Sequence, residues 1–165
     1  MSPDLAVLLA GFVLAHAAWS VADLPRGELL VPMAMIEKSG QRQLLRFQAD
    51  TQEQAIADGK ATLVKRQPDL DAWAFGREGL MPEGAAKIDV LTVDAWGKGM
   101  ARPITFVQKF SPASSGAFRL LGDPIVVVEG KAVEGAEAAR LLKTLSDGVR
   151  QHPKAAQLWD GWRGK

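Results

Sequence analysis

The chain lacks three residue types, and each absence removes a class of chemistry. It contains no cysteine, no tyrosine and no asparagine. Without cysteine there is no thiol nucleophile, no cysteine-ligated zinc and no iron–sulfur cluster. Without asparagine there is no site for asparagine-linked glycosylation. We therefore predict no cofactor of these kinds and, since no other cofactor motif is present, none at all.

Histidine is nearly absent as well. The only two, His16 and His152, lie near opposite ends of the chain. A metal site made of two histidines and a carboxylate would need both, so we predict no metal site. No stretch places a nucleophile, a base and an orienting group together, so we predict no catalytic residue and favour a protein that is not an enzyme.

Charge of neither sign is in excess. The chain has 20 Lys and Arg against 19 Asp and Glu, for a net charge of +1. This balance argues against bulk attraction to nucleic acid or to an acidic membrane. With 47% of its 165 residues hydrophobic, the chain is not disordered and corresponds to one domain, residues 1–165. Its richness in Ala, Gly and Arg is typical of bacterial proteins, and we expect a soluble, cytoplasmic one.

Residues 1–24 form an apolar N-terminal segment that is predicted to be helical. Between residues 5 and 22 only His16 and Ser20 are polar. Such a helix fits a protein core or a subunit interface, which is the interpretation we favour. In the alternatives, residues 5–22 target the protein for export or anchor it in a membrane. Against these stand Asp4 where a signal peptide has a basic residue, and a histidine near the middle of a span.

The N-terminal helix has one face of large residues and one of small residues. Phe12, His16 and Trp19 follow one another at helical spacing on the large face. Alanine and glycine at positions 10, 11, 15, 18 and 22 would let another backbone approach closely. A sheet could cover one face and a partner helix the other, which favours a homodimer or a complex with another protein.

The rest of the chain predicts an α+β fold. Strands joined by tight turns make an antiparallel sheet. We expect about five to seven strands packed by about three helices, in the order α-β-β-α-β-β-β-β-α. The first strand is predicted over residues 28–38, with a Ser39-Gly40 turn that places Glu37 opposite Arg42 as an ion pair.

A second hairpin is predicted from residues 87–96 and 100–110, with Gly97-Lys98-Gly99 at its tip. Centring the turn on Lys98 pairs Asp94 with Arg102 and Val90 with Phe106. Two short strands are then expected on either side of the turn at residues 122–124.

Three more segments have helical signals. One helix is predicted to open with a capping box within residues 50–54, to be stopped by Pro68, and to carry a buried stripe that would include Gly59 and Val64. Residues 134–150 have strong amphipathic spacing. The short tail, residues 153–165, carries Trp159 and Trp162, which either anchor a partner or fold back onto the domain.

Candidate binding residues are few. A pocket between sheet and helices could be lined by His16, Trp73, Phe75 and Trp96, with Arg102 orienting an acidic group. The more conventional role for His16 is a core residue bonded to a carbonyl or a carboxylate. The remaining acidic candidates are Asp69, Asp71 and Glu78, which together with Arg77 could act as acid and base or hold a cation. For an interface, the candidates are Phe12, Trp19, Trp159 and Trp162.

Taken together, these observations favour a non-catalytic module for self-association or for binding another protein. The first alternative is a small-molecule-binding protein or enzyme with an apolar pocket. The second is a membrane-tethered or exported protein.

Overall fold

The computed structural model describes residues 3–25 and 27–165, which form helices on both faces of one antiparallel sheet. The helices are α1 Asp4–Ala22, α2 Gln52–Arg66, α3 Gly135–Arg150 and α4 Ala155–Trp162. The strands are β1 Met33–Lys38, β2 Gln41–Arg46, β3 Ala72–Glu83, β4 Ala86–Gly97, β5 Ile104–Ser111, β6 Arg119–Val128 and β7 Lys131–Val133. The strand order is β2-β1-β3-β4-β5-β6-β7, which confirms the predicted α+β class.

The sheet divides the hydrophobic core into two parts, because side chains alternate between its faces. On one face, α1 and α3 pack together against residues such as Leu91 and Phe106. On the other face, α2 covers only the end of the sheet that holds Phe75 and Ile36. A Cβ at Gly59 of α2 would lie 2.5 Å from the Phe75 ring, so glycine allows the close packing expected there.

Helix α1 is part of the core of its own chain. Its buried residues include Leu9, Gly11, Val13 and Leu14. Gly11 lies against α3, where a Cβ would approach the Leu145 carbonyl oxygen to 2.1 Å. The partner helix that the small face predicted is therefore α3 of the same chain. The helix is also long and apolar enough to cross a membrane, but 61% of its most apolar 18 residues are buried inside the protein.

The first hairpin confirms one prediction and corrects another. Ser39 and Gly40 form the turn, and Arg42 Nε donates to Glu37 Oε1 at 2.7 Å, as expected. The strand before them, however, begins at Met33 rather than at residue 28. Residues 27–32 connect α1 to β1, and the backbone N–H of Leu30 donates to the Glu78 carboxylate instead of to another strand.

The register predicted for the second hairpin is wrong. Asp94 pairs with Thr105, not Arg102, and Val93 rather than Val90 pairs with Phe106. Residues 98–103 form a longer loop, so the pairing is displaced by three residues. An odd displacement moves side chains to the opposite face, and Val90 and Phe106 indeed lie on different faces.

Two further details differ from expectation. Residues 119–128 form one strand, β6, with an irregularity opposite Val107–Lys109, rather than two strands around a turn. The buried Gln108 side chain donates to the Gly122 carbonyl at 3.1 Å and satisfies the backbone there. Val64, predicted in the buried stripe of α2, is 73% exposed.

Candidate functional site

The predicted pocket residues lie on opposite sides of the sheet. Trp73 and Trp96 stack with ring centroids 6.4 Å apart on the α2 side, next to Phe75. Their indole nitrogens donate to the Gln67 side chain at 2.8 Å and the Met100 carbonyl at 2.9 Å. They fill the core beneath α2, whereas His16 belongs to α1 on the other face.

Arg102 also lies apart from these rings. It is exposed in the loop between β4 and β5, where it borders an open depression with Asp94. Asp94 itself accepts from Arg77 Nη1 at 2.9 Å and from Thr105 Oγ1 at 2.6 Å. Because the register places Asp94 opposite Thr105, the predicted ion pair with Arg102 does not form, and Asp94 joins β3, β4 and β5.

The two histidines from opposite ends of the chain meet. His16 Nδ1 lies 2.9 Å from His152 Nε2. His152 Nδ1 accepts from the backbone N–H groups of Ala155 at 3.0 Å and Lys154 at 3.2 Å, so it binds the N-terminal end of α4. A nitrogen that accepts carries no proton. Neutral His152 therefore donates from Nε2 to His16, whose own proton is on Nε2.

This pair differs from the conventional role predicted for His16, because its partner is neither a carbonyl nor a carboxylate. Burial, followed by the nearby charges of His152 and Arg46, lowers the pKa of His16 to about 4. Burial lowers the pKa of His152 as well. His16 Nε2 is buried with no hydrogen-bond partner among the described residues.

The histidine pair does not present a metal site. A metal ligand must offer an unprotonated nitrogen, and both unprotonated nitrogens of this pair already accept hydrogen bonds. Within residues 3–25 and 27–165, no group of three or more His, Asp or Glu side chains could hold a metal ion. The pair instead links α1 to the start of α4.

The interface candidates pack against other aromatic rings of the same chain. The rings of Phe12 and Trp19 lie 5.1 and 5.8 Å from the His152 ring. The Trp162 ring packs edge to face against two other rings. The ring centroids are 5.1 Å apart for Phe118 and 6.1 Å apart for Trp159. All four candidates are half-buried. In this structure, the tail folds back onto the domain, which was the alternative to a partner anchor.

A small cleft lined by three acidic residues, Glu28, Glu78 and Asp89, lies beside the C-terminal end of α1. Its volume is about 240 Å³, and Glu78 and Asp89 line it together with Leu29. Burial raises the pKa of Glu78, and Asp89 raises it further, against the lowering effect of the Leu30 N–H. We call this the acid cleft. A cleft that combines a perturbed acid with a second charge is a candidate binding site.

The β2 strand leaves one edge of the sheet open. Ser39 and Gly40 both have positive φ, at 51° and 80°, which identifies a type I′ two-residue turn. In such a hairpin the residues flanking the turn, Lys38 and Gln41, share a hydrogen-bonded pair. The N–H and C=O groups of residues 41, 43 and 45 therefore face β1, and those of residues 42, 44 and 46 face outward.

Neighbouring hydrogen bonds agree with this pattern. Phe47 N–H, two residues beyond Leu45, donates inward to the Pro32 carbonyl at 2.9 Å. The Glu37 carbonyl, on the far side of β1, accepts from Asp71 N–H at 2.9 Å. No hydrogen bond from another described residue reaches the outward backbone of β2. We call these outward groups of Arg42, Leu44 and Arg46 the β2 edge.

A large cavity adjoins this edge. It is an open groove of about 770 Å³ between the first hairpin and the end of α2. Ile36 and Leu70 supply its apolar residues, and Lys38, Arg66 and Asp69 are among its charged ones. We call it the β2 groove. An open backbone edge beside a groove can hold an extended chain, with backbone hydrogen bonds on one side and side-chain contacts on the other.

Sequence reasoning missed the β2 edge and the acid cleft for different reasons. The Ser39-Gly40 turn did predict the hairpin, but only the order of strands reveals that β2 is a sheet edge. Glu78 was considered with Asp69 and Asp71, whereas its partner is Asp89 on the adjacent strand. Both sites therefore depend on strand order and strand register, which the local sequence patterns did not predict.

Comparison with known proteins adds no functional information. No family model, no curated protein and no solved structure matches the chain. The functional argument therefore rests on the geometry of the described residues.

Proposed function

We propose that this chain is a protein-association module that receives a strand of another polypeptide chain at the β2 edge. The observation that carries the proposal is the outward-facing backbone of Arg42, Leu44 and Arg46. An unpaired sheet edge is a template for another strand, and natural proteins usually cover or shorten it. The opposite edge, β7, has three residues, whereas β2 has six.

The proposal does not rest on α1, which first suggested association. The apolar surface of that helix packs against the sheet and α3 of its own chain. The partner can be a second copy, which gives a homodimer, or a different protein. A cytoplasmic location remains a prediction of the sequence.

Site-directed crosslinking tests this proposal. A photo-reactive amino acid is placed at Gln43, which lines the β2 groove, and a matched one at Lys131 of β7, both of which are exposed. In the cells that naturally produce the protein, the Gln43 probe should give a discrete adduct with a second copy or another protein. The Lys131 probe should give none.

A backbone variant provides the control. Leu44→Pro removes one outward N–H, and proline is tolerated on edge strands when that group faces solvent. Circular dichroism confirms that the variant is folded. The adduct should disappear in Leu44→Pro and persist in Ala132→Pro, which removes an outward N–H from β7. Absence of any Gln43 adduct, or one insensitive to Leu44→Pro, contradicts the proposal.

The acid cleft supports a second candidate function, the binding of a small cation with an apolar body. Three carboxylates, those of Glu28, Glu78 and Asp89, lie in a cleft bordered by the 56% exposed Leu29. Burial disfavours the charged form of a carboxylate, and this effect is the main one that raises the pKa of Glu78. A positively charged ligand would relieve it.

Nuclear magnetic resonance titration distinguishes this candidate. Benzylamine should shift the backbone signals of Glu78, Asp89 and Leu29 in a saturable manner, whereas neutral benzyl alcohol should not. Glu78→Gln should weaken the response to benzylamine. Equal shifts with both compounds would show that charge recognition is absent from the cleft.

A further inference from the structure

The side chains along the β2 edge form a simple alternating pattern. Arg42, Leu44 and Arg46 share the face of the sheet that carries α1. Leu44 is half-buried and packs against the core. Arg42 uses Nε for Glu37 and Nη1 for Gln151, at 2.7 and 3.1 Å. Its Nη2 has no hydrogen bond to a described residue.

Arg46 and the β2 groove add further positive charge. Within the described residues, no ion pair involves Arg46, Lys38 or Arg66. The groove carries Lys38 and Arg66 against the anionic Asp69, and it is also bordered by Arg42, which is paired with Glu37. The open edge therefore lies between cationic groups on both faces of the sheet.

We infer that the β2 edge binds an extended acidic segment of another protein, with acidic, apolar and acidic side chains at alternate positions. Residues directly opposite one another across an antiparallel pair lie close enough to interact. The two acidic positions would face Arg42 and Arg46, and the apolar position would face Leu44. This inference rests on the proposed function and adds the chemistry of the partner.

Charge complementarity disfavours a second copy at this edge. Antiparallel pairing of β2 with β2 would bring Arg42 and Arg46 of both copies to one seam. The nearest carboxylate on this face of β1, Glu37, is already paired with Arg42. Like charges along a strand pair are destabilising, so an acidic strand is the better occupant.

Two matched peptides test the inference on the full chain. One is a fluorescein-labelled ten-residue peptide, capped at both ends, with the central sequence Glu-Thr-Val-Thr-Glu. The other has lysine in place of both glutamates. By fluorescence anisotropy at low salt, the glutamate peptide should bind about tenfold more tightly, the change expected when two exposed ion pairs replace two repulsions. The preference for the glutamate peptide over the lysine peptide should shrink at about 0.5 M salt, because screening weakens exposed ion pairs.

Charge reversal is the decisive control, because it does not depend on a proline variant remaining folded. Arg46→Glu should weaken binding of the glutamate peptide and strengthen binding of the lysine peptide. Arg140→Glu, at an exposed position of α3 without an ion pair among the described residues, should change neither. Leu44→Pro should abolish binding of both peptides, and Ala132→Pro should leave both unchanged.

The outcomes separate this inference from the proposed function. If the Gln43 crosslink forms but the two peptides bind equally, or neither binds, the β2 edge is an interface and its preference for an acidic strand is wrong. A crosslink to a second copy of the chain and to no other protein would also contradict the inference that the partner is an acidic segment of another protein. If Arg46→Glu leaves the glutamate peptide unaffected, the arginines only protect the edge from aggregation. If the Gln43 crosslink also fails, the proposed function fails with it.

Discussion

Gly11 of α1 and Gly148 of α3 lie at the closest approach of two helices. A Cβ on Gly148 would lie 2.2 Å from the Leu8 carbonyl oxygen, and a Cβ on Gly11 would lie 2.1 Å from that of Leu145. Neither distance leaves room for a methyl group. The small-residue face of α1 is therefore used within the chain, so its apolar character is explained without a second subunit.

Gly11→Ala should destabilise the fold strongly. The added methyl group meets backbone atoms of α3, which move only if the two helices separate. We expect a loss of at least about 3 kcal/mol in the free energy of unfolding, at the upper end of overpacking effects. Chemical denaturation measures it.

Gly161→Ala is the matched control for this change. A Cβ at Gly161 of α4 meets nothing within 4 Å. Alanine is favoured over glycine in a helix by up to about 1 kcal/mol, so this variant should be as stable as the wild type or slightly more stable. Equal losses in the free energy of unfolding for Gly11→Ala and Gly161→Ala would mean that α1 and α3 pack less closely than described.

The histidine pair predicts that stability falls in mild acid. The folded-state pKa of His16 is about 4 and that of His152 is also lowered, whereas an unfolded histidine titrates near 6.5. Below about pH 6.5 the unfolded chain therefore binds more protons at these two histidines than the folded chain does. The contribution of the pair is fully present above that pH and is lost as the pH falls toward 4.

Residue-specific nuclear magnetic resonance measures this titration. His16 should remain mostly neutral at about pH 6 and His152 should titrate below the ordinary pKa of histidine, with the proton on Nε2 in the neutral form of each. The same residues in urea should titrate near the ordinary value for histidine. Ordinary titration of either residue in the folded protein would show that the pair is not formed.

Glu78 predicts an opposite pH dependence. Its folded-state pKa is raised above the ordinary value of 4.5, chiefly by burial. The stability that it contributes is therefore present below about pH 4.5 and is lost as the pH rises through the folded-state pKa. Glu78→Gln removes the charge, and its side-chain oxygen can still accept from Leu30 N–H.

We accordingly expect Glu78→Gln to be at least as stable as the wild type at pH 7, with a smaller decrease in stability from pH 4.5 to neutrality. Thermal unfolding at several pH values checks this. Glu134→Gln, at an exposed position, is the control and should not alter the profile. Lower stability of Glu78→Gln at neutral pH would mean that the carboxylate has a cationic partner.

Local signals in the sequence predicted the local structure well. Thr51 accepts from Gln54 N–H at 3.1 Å and begins α2, as the capping box indicated. The apolar spacing of the last long helix predicted that Leu141 and Leu145 would be buried, and both are. Each of these features depends on residues only a few positions apart.

Features that depend on distant residues could not be predicted in the same way. The loop after Gly97 is held by a Lys98 N–H bond to the Asp71 carbonyl at 2.8 Å, from a different part of the chain. This contact continues the β3–β4 pairing by one residue beyond Gly97, and β5 begins only at Ile104. Likewise, His16 and His152 are 136 positions apart, and only the packing of α1 beside the start of α4 brings them together.

Hydrogen exchange of six consecutive amides tests the central claim, that β2 presents an open edge for a partner strand. In the free protein, the amides of Gln41, Gln43 and Leu45 should exchange slowly, and those of Arg42, Leu44 and Arg46 should exchange fast. Binding of the glutamate peptide should slow the second set and leave Ala132 of β7 unchanged. Outward amides that are already protected in the free chain, or that remain fast when the peptide is bound, would contradict the account.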